Sequence, residues 1–132
     1  MSIAVQSKPS RLAPAALWVV RGLLAVVFLA AGGAKLYGVP MLVEEFQHIG
    51  LGQWFRYLTG MLEVLGACLL LVPPLGAFGA VVLSCVMIGA TITHLFVIGG
   101  SPVPALVLLA FNALVIFVKR SDIAAVLSGR PR

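Results

Sequence analysis

Four long apolar runs, broken by short polar or proline-containing segments, set the pattern of this chain. They cover about residues 15–37, 54–72, 75–98 and 103–118, each close to the roughly 20 residues a membrane-spanning helix needs. Pro73 and Pro74 separate the second run from the third, and Gly99 to Pro102 separate the third from the fourth. Such punctuation ends helices and joins antiparallel neighbours. The expected fold is all-α, an integral membrane four-helix up-down bundle.

One connection is too long for a simple hairpin. The segment GVPMLVEEFQHIGLGQW has Pro40 where a first helical turn tolerates it and Gly50 where a helix commonly stops. Leu42, Phe46 and Ile49 follow i, i+4, i+7 spacing, while Glu44, Glu45 and His48 lie towards the other side. This predicts a short interfacial helix over about residues 40–49. Two roles stay open for it: a lid over the mouth of the bundle, or a connector lying on the membrane surface.

Composition agrees with the pattern. The 132 residues are 61% hydrophobic and 10% charged, with mean hydropathy +1.14, well beyond the soluble average of about 45–50% apolar. Four spans use up the length, so residues 1–132 are read as a single membrane domain. The net charge of +5 does not point to nucleic acid, because no basic stripe carries interleaved aromatics. Six of the nine Lys and Arg lie towards the ends (Lys8, Arg11, Lys119, Arg120, Arg130, Arg132), which predicts cytoplasmic N- and C-termini by the positive-inside bias. The connection after the first run and the Gly99 turn then face outward.

Lys8, Arg11 and the following apolar run imitate a secretory signal, but Arg21 interrupts the run, which is longer than a typical signal core. A retained first span is expected. Cys68 and Cys85 form no CxxC pair and read as small packing hydrophobes.

The chemistry lies in the few polar residues inside the runs. TGMLEVLGACLLLVPPLG holds one ionisable side chain, Glu63. A charge at mid-bilayer depth costs at least about 2.5 kcal/mol even on lenient scales, so it implies a partner or a task. Arg21 and Lys35 lie 14 residues apart in the first run, which places them within about 40° on one helical stripe. Measured from the span ends, Arg21 and Glu63 sit only about 6–7 Å apart along the membrane normal, so an Arg21–Glu63 ion pair is expected. Arg56 falls among headgroups on the same reasoning. His94 in the third run and Asn112 in the fourth complete a set of polar groups able to turn inward from all four helices. Arg21, Lys35, Glu63, His94 and Asn112 are therefore the candidate ligand-binding or proton-handling residues; no metal set is read.

The phrases FLAAGGAKLYG, IGLGQWFRYLTGMLEVLGACLLLVP and IGATITHL, with an early Arg21, resemble the DoxX-like membrane proteins. The resemblance runs from Leu17 to Val118 and rests on the joint pattern of Arg21, Gly33, Lys35, Glu63, Gly66, Ala90 and His94. It implies a four-helix protein of the bacterial inner membrane, in a family named for subunits tied to quinone-dependent sulfur oxidation.

Three functions follow as expectations. The first is an accessory subunit of a quinone-linked redox system, in which Glu63 and His94 hold a quinone headgroup and move protons while a partner protein supplies electrons. The second is a non-enzymatic scaffold or assembly subunit, with a homo-oligomer among its forms. The third is a path for protons or small solutes. An accessory role is favoured over a stand-alone enzyme, a quinone is the candidate cofactor, and the lipid bilayer is the common partner.

Overall fold

A computed structural model describes residues 12–129, and its regular elements are all helices. They are α1 (Leu12–Tyr37), α2 (Pro40–Ile49), α3 (Gln53–Leu71), a 3-10 turn (Pro73–Leu75), α4 (Gly76–Thr93), a π-helical turn (His94–Ile98), α5 (Val103–Val118) and α6 (Arg120–Ser128). Lys8, Arg11, Arg130 and Arg132 lie outside the described residues.

Three of these helices are long and apolar enough to cross a membrane: α1, α3, and α4 with its flanking turns. A fourth span is formed if α5 and α6, bent by 56°, are counted together. The 16 residues of α5 reach only about 24 Å, less than the roughly 30 Å of a hydrocarbon core. The chain is thus a multi-pass membrane protein, with the short α2 between the first and second spans. The terminal α6 was not expected from the apolar runs, because its charged start at Arg120 and Asp122 ends the hydrophobic pattern.

Packing follows chain order: α1 lies on α3, α3 on α4, and α4 on α5, with α5 returning to touch α1. Glycine sets the first two contacts. A Cβ on Gly32 would meet the Gly60 carbonyl oxygen at 2.8 Å, and one on Gly60 would meet that of Gly32 at 3.0 Å. Likewise a Cβ on Gly79 would meet the Gly66 carbonyl oxygen at 2.6 Å. Backbones can approach this closely only where side chains are missing, the usual device when no hydrophobic effect drives helix association. Gly22, Gly33 and Gly89 do not share this role, since an added Cβ there would meet nothing within 4 Å.

Two buried arginines close the ends of the α1–α3 pair. Arg21 donates from Nε to the Leu70 carbonyl at 2.8 Å and from Nη2 to those of Val72 at 3.0 Å and Pro73 at 3.5 Å. Arg56 does the reciprocal work at the other end, donating from Nη1 to the Lys35 carbonyl and from Nε to Gln53 Oε1 at 2.7 Å. Each guanidinium satisfies carbonyls that the final turn of the facing helix leaves unpaired, and each sits at the favourable negative end of that helix. Trp18 and Tyr57 lie under the two guanidinium groups, at 3.9 and 4.3 Å from carbon to ring centre. Arg56 is therefore buried against α1, which it caps.

Candidate functional site

The Gly32–Gly60 contact fixes which charges meet. Arg21 lies 11 residues before Gly32, and 11 residues beyond Gly60 on the antiparallel α3 is the Leu70–Val72 region, where Arg21 bonds. Glu63 is about 12 Å away along the axis at 1.5 Å per residue. Side chains also lean towards the N-terminus of their own helix, which turns Arg21 away from Glu63. The expected Arg21–Glu63 pair is thus replaced by another. Lys35 and Glu63, three residues to either side of the glycine contact, lean towards each other by the same rule. Lys35 Nζ reaches both Glu63 carboxylate oxygens at 3.1 Å.

This pair borders a cavity of about 610 Å³ between α2, α3 and α4, within the roughly 300–1,000 Å³ typical of small-molecule sites. Phe46 and Ile49 of α2 roof it, Thr59, Leu62 and Glu63 of α3 form one wall, and Val82, Val86 and Ala90 of α4 form the other. The roof is held by the Phe46–Phe55 ring contact at 5.9 Å. Gln53 adds a second tie, donating to the Val43 carbonyl at 3.0 Å while accepting from Arg56. A largely apolar volume ending on an ion pair can take an amphipathic molecule, its polar end on the charges.

Lys35 and Glu63 share the cavity with His94, but at different depths. Taking Gly66 and Gly79 as level, His94 lies about 18 Å beyond Glu63 along the bundle at 1.5 Å per residue. Its Nδ1 donates to the Gly99 carbonyl at 3.0 Å. Arg21 and Asn112 do not line the cavity. Asn112 is fully buried and donates from Nδ2 to Leu108 in its own helix at 2.9 Å, while its Oδ1 has no partner among the described residues.

Several lining residues escaped the sequence reading. Glu45, assigned to the polar side of α2, borders the cavity; its place in the i, i+3, i+4, i+7 series Leu42, Glu45, Phe46, Ile49 was the available signal. Thr59 and Thr93 also line it, as does Gly89. Cys85 faces the cavity edge, and both cysteines are free and exposed instead of packed. Among the described residues no group of three His, Cys, Asp or Glu side chains converges as a metal site.

Comparison with known proteins places this geometry in a family. YdgD of Bacillus subtilis (strain 168), described as an uncharacterized protein, is 40% identical over 77 residues, covering 55% of this chain and 68% of that relative. No solved structure matches. Residues 19–118, a range that includes both arginine caps, the ion pair and the whole cavity, match the DoxX-like family, and the chain belongs to that family.

Proposed function

We propose that the chain binds a small membrane amphiphile in the cavity beneath α2, with the Lys35–Glu63 pair holding its headgroup. The observation that carries this reading is the open volume of about 610 Å³ against an ion pair whose hydrogen-bonding capacity is not used up. Lys35 spends its bonds on one carboxylate, and an ammonium has three donors. The carboxylate oxygens likewise retain lone pairs. Lys35, Glu45 and Glu63 give the lining a formal charge of −1 with His94 neutral, so an uncharged head with both donor and acceptor groups is favoured over an anionic one.

Within that class, an isoprenoid quinone is the narrower reading: its carbonyl oxygens would accept from Lys35, and the chain would serve as the accessory subunit of a redox system whose electrons come from a partner protein. Because His94 is far from the ion pair, one headgroup does not touch both; the imidazole belongs to the mouth of the cavity. The site lies in a bacterial inner-membrane protein with α2 on the outer side and both termini in the cytoplasm, an orientation supported by the Lys and Arg of the tails.

The test is solvent extraction and mass spectrometry of gently purified protein, wild type beside Lys35→Met/Glu63→Met at equal folded amounts. A stoichiometric amphiphile in wild type that is lost from the double variant is the expected result. Bulk lipid alone in both would contradict a ligand site and favour the scaffold.

A further inference from the structure

The cavity has a side opening. Three of its lining residues, Leu58 on α3 and Val81 and Cys85 on α4, are exposed, Leu58 and Val81 at 41% and 39%. Cys85 sits near the middle of the Pro73–Ile98 span, about 18 Å from either end at 1.5 Å per residue. At Cys85 the gap between α3 and α4 therefore lies at hydrocarbon depth. Its α4 edge is built from Cys85, Gly89 and Thr93, which follow one another at four-residue spacing, and a Cβ on Gly89 would meet nothing within 4 Å. That edge is thin where the other glycine contacts are tight.

We infer that the gap between α3 and α4 is a portal to the bilayer, through which the hydrocarbon chain of an amphiphile enters sideways and in which it lies. This rests on the amphiphile reading above and adds its route: the ligand comes from the membrane, not from water past α2. The chemistry of the surroundings selects the occupant. What faces an apolar opening at mid-span is lipid chain, and the one charged group pair at its inner wall, Lys35–Glu63, is placed for a head drawn in behind the opening.

The experiment is spin-label accessibility in phosphatidylcholine vesicles. A nitroxide on Cys85 in a Cys68→Ser chain reports collisions with dissolved oxygen, which concentrates in lipid, and with a water-soluble nickel chelate. A label at Met61→Cys, on the exposed side of α3 away from the cavity and level with Cys85, serves as the lipid-facing control in a chain whose native cysteines are both serine. The portal predicts oxygen-dominated collisions at Cys85 equal to the control. It also predicts that Gly89→Phe lowers, several-fold, the photolabelling of Leu62 and Val86 by a diazirine-bearing long-chain alcohol, with Met61 labelling unchanged. Collisions dominated by the nickel chelate would mean a water-filled cavity, and shielding from both reagents would mean that a second copy covers the gap; either overturns the portal. The collision measurement does not depend on whether a ligand co-purifies, so failure of the portal and failure of the amphiphile reading register separately.

Discussion

Two of the places where the α1–α3 pair buries charge are built differently. At the Pro73 end, Arg21 is 1% exposed, its donors bond backbone carbonyls, and a Cβ on Gly76 would collide with the guanidinium. Near α2, Lys35 and Glu63 bond each other beside an open volume. A buried charge bonded to its own backbone and closed in by glycine has no open volume in which to hold anything else. One that keeps spare donors and acceptors next to empty space does. Burial alone, which Arg21 and Glu63 share, does not separate structure from site.

The largest effect is expected at the arginine cap. Arg21→Met leaves the carbonyls of Leu70, Val72 and Pro73 without their donor, and should cost on the order of 3 kcal/mol or more. Thermal melting in detergent should fall sharply, with loss of folded yield. An unchanged melting temperature would remove the distinction drawn here.

The ion pair gives the next test. Glu63→Met leaves the part-exposed Lys35 without its partner, Lys35→Met leaves Glu63 buried and unpaired, and each should destabilise by about 2–3 kcal/mol, whereas Lys35→Met/Glu63→Met should recover most of that loss. Melting of the two singles and the double closes the cycle. A loss in the double variant equal to the sum of the two single losses would show that the two charges do not interact.

A smaller loss is expected at the contact that sets the register. Gly32→Ala places a methyl group 2.8 Å from the Gly60 carbonyl oxygen, so the helices must part, at roughly 1–3 kcal/mol. Gly33→Ala, its neighbour with open space, should stay within about 0.5 kcal/mol. Gly89→Ala should be as mild in melting.

That register explains what the sequence could and could not disclose. Hydropathy locates the spans, and Pro40 with Gly50 marks α2, because these signals are local to each segment. The partner of Glu63 is not local. Placing each span by its aromatic and charged ends puts Arg21 beside Glu63, but the close Gly32–Gly60 approach sets the true axial offset, and Gly60 carries no sign of it in the sequence. The stripe holding Arg21 and Lys35 was legible from 3.6-residue periodicity and does face inward. The cavity was not, since an unfilled space depends on how three helices splay: Gly89 opens it while the similar Gly79 is packed shut.

The most direct measurement is the ratio of bound amphiphile to folded protein, by native mass spectrometry, in two variants taken from the two places. Lys35→Met/Glu63→Met alters the open pair, and Arg21→Lys weakens the closed cap while keeping a buried cation. Loss of the amphiphile from the first and retention in the second, at equal folded amounts, is the predicted result. If both variants keep it, or both lose it, the two places do not differ in function and the account is wrong.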